Sequence, residues 1–201
     1  ELKSRGVGVL EACGITRSLV QIMSRIHAAG VIHRDVKPDN IMAGNLPERG
    51  SRETVEDWCE AIGKEIRILD FGISRLLDAH TTTRLELESG TPMFRPPETF
   101  FGEGRNREAV DVYAVGMIFY FLLTGSYPYD VDQEPVNTIG SILYRDPIPL
   151  SRHCPAIPHP LQQLVMDMIA KEPAARLTDP EEILRRLQHA VQLLDARMKE
   201  A

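Results

Sequence analysis

The chain has 201 residues, 26% of them charged, and a net charge of −6. That is enough for one domain, or one large lobe of a bigger one, burying roughly 70% of its unfolded surface without staples. The acidic balance argues against a nucleic-acid or anionic-membrane partner. Three cysteines, Cys13, Cys59 and Cys154, are odd in number and lack CxxC spacing. They suggest neither a disulfide framework nor a zinc site and point to reduced thiols in the cytoplasm. No signal peptide is evident and the first residue is Glu1, so the chain reads as a fragment.

From the start, "RGVGVLEACG" (5–14) reads as a linker. "SLVQIMSRIHAAG" (18–30) then carries Leu19, Ile22, Met23, Ile26 and His27 at helical spacing, and Gly30 stands where a C′ residue belongs. "HRDVKPDN" (33–40) is a polar loop whose Lys37-Pro38 pair disfavours helix at Lys37. "NIMA" and "EIRILD" are short apolar segments of strand type.

The 44–64 segment between these strands is far longer than the about 2–5 residues of a usual hairpin loop. Within it, "TVEDWCEAIG" sets Val55, Trp58, Cys59 and Ile62 on one helical face. Thr54 and Asp57 form a capping-box pattern and Gly63 ends the helix. This helix either docks on its own domain or offers Trp58 to a partner.

Residues 79–107 show little periodicity and read as a long loop; such loops are often functional. "VYAVGMIFYFLL" (112–123) is apolar all round but too short for a bilayer core, which needs about 20 residues. It reads as the buried helix on which the domain packs. Helices follow near 137–145, 160–171 and 180–198. The expected fold is mainly α with a small β-hairpin sheet.

"HRDVKPDN" resembles the catalytic loop of eukaryotic-type protein kinases, and "LDFG" (69–72) resembles their metal-binding motif. "GTPMFRPPE" (90–98) is similar to the end of a kinase activation segment, with Pro96-Pro97-Glu98 in place of Ala-Pro-Glu. "DVYAVG" (111–116) resembles the start of the family's central helix, with Tyr113 where tryptophan is common, and "KEPAARLT" (171–178) the segment carrying a structural arginine, here Arg176. The motifs stand in the family's order and cover nearly the whole chain. The resemblance is to the C-terminal lobe of a Ser/Thr protein kinase.

Phosphoryl transfer needs positioning and charge neutralisation more than covalent chemistry, and the resemblance assigns roles accordingly. Asp35 accepts or orients the proton of the attacking hydroxyl, with Lys37 against the transferred phosphate. Asn40 and Asp70 hold Mg²⁺, as hard oxygen ligands for a hard cation. Thr91 bonds towards Asp35 and Lys37. Met42 lies nearest the adenine ring of ATP, although a plain core role suits methionine equally well.

Arg34 would meet a phosphate on the activation segment, at Thr81, Thr82, Thr83 or Ser89. Structural roles fall to His33 and Phe71, in an internal stack, and to the Glu98–Arg176 ion pair. Asp111 would accept backbone N–H groups of the loop while also serving its helix start. The implied partners are ATP and a protein substrate with a Ser or Thr acceptor. Nucleic acid and membrane insertion are not expected.

A kinase also needs a glycine-rich loop, a strand lysine and a helix glutamate. Gly6 and Gly8 fit G-x-G, but Glu11 takes the third glycine position and no V-A-I-K-like strand follows. The nucleotide-holding N-terminal lobe is therefore expected to be absent from this chain, with 1–201 the C-terminal lobe only and 70–98 its activation segment. A non-catalytic scaffold lobe is the alternative, and a small-molecule phosphotransferase a third reading that "GTPMFRPPE" and Arg176 disfavour.

Overall fold

The computed structural model describes residues 7–48, 54–69, 92–102 and 108–200. They form six α-helices, a two-stranded sheet and short 3-10 turns. Helix α1 spans Val9–Ala28 and ends on Gly30, whose φ of 75° is the left-handed value glycine adopts without steric cost. A 3-10 turn at Pro38–Asn40 leads into strand β1, Ile41–Ala43. Lys37 is extended at φ −157°, ψ 162°, as the residue before a proline should be.

Helix α2 spans Val55–Glu65 and runs directly into strand β2, Ile66–Ile68. The strands pair antiparallel, Ile41 with Ile68, Met42 with Arg67 and Ala43 with Ile66. Gly44 N–H to Glu65 O at 2.9 Å and Leu69 N–H to Asn40 O at 2.8 Å extend the ladder at both ends. Helices α3 (Ala109–Thr124), α4 (Pro135–Tyr144), α5 (His159–Met168) and α6 (Pro180–Glu200) complete the fold.

The mainly helical architecture with one small hairpin agrees with the sequence. Helix α3 is the centre: Tyr113, Met117, Phe119 and Tyr120 have no exposed surface, and α1 and α5 pack on it. Apolar residues on every side suit a helix surrounded by protein. Among the described residues no helix is long and apolar enough to cross a membrane.

Three expectations are corrected. Residues 9–14 are not linker but the first turns of α1, with Leu10, Ala12 and Cys13 buried. Gly8 is the N-cap, and its N–H donates to the Glu11 carboxylate at 3.3 Å, so Glu11 serves the helix start. Gly63 does not end α2; a Cβ there would lie 2.9 Å from Ser18 Oγ, so its bareness lets α2 approach α1 closely. Gly14 serves the same seam from the other side, where a Cβ would meet Ile62 Cδ1 at 2.8 Å. Within the expected 79–107 loop, Pro92–Phe94 and Pro97–Phe101 are 3-10 turns with Met93, Phe94 and Thr99 buried.

The insert helix docks on its own domain. Val55, Trp58, Cys59 and Ile62 are buried, and α2 packs chiefly against α1. The Trp58 indole N–H donates to Pro47 O at 2.8 Å. With its apolar face covered, α2 offers no exposed Trp58 surface to a partner. The expected cap is present: Thr54 Oγ1 accepts the Asp57 N–H at 3.1 Å and donates to the Asp57 carboxylate at 2.7 Å.

Candidate active site

The 33–40 loop leaves α1 through Gly30 and is pinned from three directions. From α3, Asp111 Oδ2 accepts the His33 backbone N–H and Oδ1 accepts that of Arg34, both at 2.8 Å. Arg34 has φ 67°, the only left-handed non-glycine among the described residues, a strained conformation that surrounding bonds must hold. From α1, His27 Nε2 lies 2.8 Å from Asp111 Oδ2. His27 was legible only as one member of a helical face; its functional signal is a histidine on an apolar stripe just before the polar loop.

From the hairpin side, His33 is fully buried. Its Nδ1 accepts the Asp35 N–H at 3.3 Å, which leaves the proton on Nε2 to donate to Leu69 O at 3.2 Å. Leu69 N–H in turn bonds Asn40 O. The residue that precedes Asp70 is thus tied to both ends of the loop.

Inside the loop, the Asn40 amide nitrogen donates to Asp35 O at 2.8 Å and to Asp35 Oδ2 at 3.1 Å. Lys37 Nζ lies 3.1 Å from the same Oδ2. The Asp35 and Lys37 side chains retain 21% and 20% exposure, so the carboxylate is oriented by two neighbours yet reachable. The Asn40 amide nitrogen is engaged by Asp35, which leaves Oδ1 as the side chain's hard oxygen donor. That suits Mg²⁺, a cation that prefers oxygen ligands and retains waters. Met42 is 56% exposed, so the plain core role is excluded and its side chain stands on an open face of the hairpin.

Glu98 and Arg176 meet as the sequence suggests. Arg176 Nη1 and Nη2 donate to the two Glu98 oxygens at 2.8 and 3.1 Å. The remaining donors reach Ala109 O, Ala170 O and Lys171 O at 2.9, 2.9 and 3.2 Å. All five guanidinium N–H groups are used, and the Tyr113 ring lies 5.0 Å from the guanidinium carbon. Burial holds the Tyr113 phenol well above its ordinary pKa, with Tyr129 adding to the effect.

Asp70, Phe71, Thr81, Thr82, Thr83, Ser89 and Thr91 lie outside the described residues. Among the described residues no cluster of three His, Cys, Asp or Glu side chains could hold a metal ion.

A buried helix thus pins a polar loop on which a reachable aspartate is bracketed by lysine and asparagine. The protein kinase domain model matches residues 5–191, and the chain belongs to the protein kinase family. It is similar to the serine/threonine-protein kinase Pkn1 of Myxococcus xanthus, 34% identical over 86% of this chain and 24% of that protein. It is likewise similar to the serine/threonine-protein kinase PkaB of Streptomyces coelicolor, 34% identical over 85% of this chain and 37% of that protein. A calcium/calmodulin-dependent protein kinase of Emericella nidulans is 32% identical over 65% of the chain and 29% of its own length. The chain thus spans 24–37% of the length of these curated relatives.

Proposed function

We propose that residues 1–201 are the C-terminal lobe of a Ser/Thr protein kinase domain, which transfers the γ-phosphate of ATP to a Ser or Thr hydroxyl of a protein. The observation that carries the reading is the bracketing of Asp35 by Lys37 and Asn40 on a loop pinned by Asp111. The relatives' printed names support the Ser/Thr acceptor.

In this reading Asp35 orients the acceptor hydroxyl and takes its proton as the bond to phosphorus forms. Lys37 moves from the Asp35 carboxylate to the transferred phosphate, and Thr91 steadies both. Met42 forms a wall for adenine. Asn40 and Asp70 would hold Mg²⁺, whose contribution when bound is to neutralise phosphate charge. Arg34 receives an activating phosphate from the 70–98 segment. The 44–64 insert acts as a brace whose helix is continuous with the strand leading to Asp70. Cys13 and Cys59 are buried and not joined in disulfides, in keeping with a reducing, cytoplasmic setting.

The glycine-rich loop and strand lysine of the family have no counterpart in 1–201, so full activity requires an N-terminal lobe. The test is label transfer from γ-labelled Mg·ATP, using a protein that joins this chain to such a lobe. Phosphoserine or phosphothreonine lost in Asp35→Asn supports the proposal. Label confined to tyrosine, or to small molecules, overturns it.

A further inference from the structure

Behind the 33–40 loop, between α1, α3 and the start of α6, lies a cavity of about 150 Å³. Its walls include Met23, Val112, Val115 and Ile183, all buried. Ser24, Thr178 and two titratable groups line it as well. Glu108, at the N-terminus of α3, is exposed, and no described residue pairs with its carboxylate. His27 also lines the cavity, and it is the residue whose Nε2 bonds Asp111.

We propose that this cavity binds a small lipophilic cation, with a body of one ring and an amine at the mouth, and that His27 relays its presence to the loop. Size sets the body, since about 150 Å³ is room for one benzene-sized ring, which the apolar walls can cover. Charge sets the sign, because among the described residues the carboxylate lining the cavity is that of Glu108, and the chain is net acidic. The relay follows from shared atoms. A ligand against His27 presses on a ring bonded to Asp111 Oδ2, and that carboxylate also holds the His33 and Arg34 amides. Arg34 sits at φ 67°, a strained conformation that those bonds help to hold. The cavity and the loop are therefore two sites joined by one carboxylate.

Phenethylamine, toluene and phenylacetate serve as cationic, neutral and anionic probes, followed by calorimetry and by amide NMR of the protein. Phenethylamine should bind saturably and more tightly than phenylacetate. Val115→Phe, which fills the space, should weaken it by more than about tenfold while leaving the thermal midpoint equal or higher. Glu108→Gln should weaken phenethylamine by about two- to fivefold, as an exposed charge would, and leave toluene unchanged. Ligand should shift the His33 and Arg34 amide resonances in the native protein but not in His27→Leu. Should Val115→Phe fail to fold, Ile183→Phe makes the same test. No saturable binding, or binding untouched by filling the cavity, overturns the site. Equal affinity for phenylacetate overturns the charge assignment, and unmoved His33 and Arg34 amides overturn the relay.

Discussion

Asp111 Oδ1 accepts the backbone N–H of Arg34 at 2.8 Å, across 77 residues of sequence, while its Oδ2 takes the His33 N–H and His27 Nε2. One carboxylate from the buried helix α3 therefore sets the backbone of the loop that carries Asp35. The helix is rigid because protein surrounds it on every side, so the loop inherits a fixed reference.

Asp111→Ala should strand two buried or half-buried amide donors, each costing about 1–3 kcal/mol. Urea unfolding should show that loss, and proteolysis should open the chain near residues 33–40. An unchanged midpoint would mean that the loop is held by other contacts. Arg34→Val should be worse folded than Arg34→Gly, because a β-branched residue at φ 67° is an outlier and glycine is not.

The Glu98–Arg176 pair should behave as a buried unit. Arg176→Met leaves the Glu98 carboxylate without its charge partner and frees three carbonyls, for a loss of about 3–5 kcal/mol. Arg176→Lys should recover only part, since an ammonium lacks the fork that meets two oxygens and three carbonyls together. Chemical denaturation of the two variants checks both statements.

High pH should unfold the chain through its buried phenols. Tyr120 donates to Ile148 O at 2.8 Å, and burial pushes its pKa up to about 12. The unfolded phenol ionises near about 10, so between those values the unfolded state holds fewer protons and stability falls as pH rises. The slope from this group is at most about 1.4 kcal/mol per pH unit. Tyr120→Phe should flatten the alkaline limb by about one proton, leaving the part due to Tyr113. A limb of unchanged slope would place the titration elsewhere.

What was legible in the sequence was local. The end of α1 at Gly30, the Thr54 cap and the all-apolar α3 follow from residues within one or two turns of each other. The α1 start was misread because Gly6, Gly8 and Gly14 look like punctuation; Gly14 instead makes room for Ile62 across the α1–α2 seam. Gly63 was misread for the same reason, its partner Ser18 lying far back along the chain on α1. In the site, the resemblance of one short stretch to the kinase catalytic loop named Asp35, Lys37 and Asn40 together, since one loop carries all three. His27 was missed because its meaning lies in Asp111, 84 residues on.

Chemistry is tested by Asp35→Asn and Asp70→Asn in a protein that includes an N-terminal lobe. Loss of an acid–base group typically removes about 10²–10⁴ of the rate. Asp35→Asn should keep its fold, because the carbonyl oxygen of the substituted amide can still accept from Asn40, while the negative charge beside Lys37 is lost. Near-normal turnover in either variant would remove these residues from the mechanism. Mass spectrometry of the active protein should find phosphate on one of Thr81, Thr82 or Thr83, and activity with all three unmodified would remove Arg34's proposed regulatory role.

The chain 1–201 itself should fold but not phosphorylate a peptide. Its central helix, the pinned 33–40 loop and the Glu98–Arg176 pair are all internal to it. Asn40 and Asp70 would still attract Mg²⁺, but ATP would lie against one wall at Met42, which is 56% exposed. The sequence supplies no V-A-I-K-like lysine for the phosphates, and in the proposed reading the second wall that excludes water belongs to the N-terminal lobe. Positioning and electrostatic preorganisation, which dominate phosphoryl transfer, are then largely lost. Calorimetry with Mg·ATP should give affinity far weaker than that of a whole kinase, and a radiolabel assay should show no transfer. Robust peptide phosphorylation by purified 1–201, abolished by Asp35→Asn, would show that this lobe positions nucleotide without a partner.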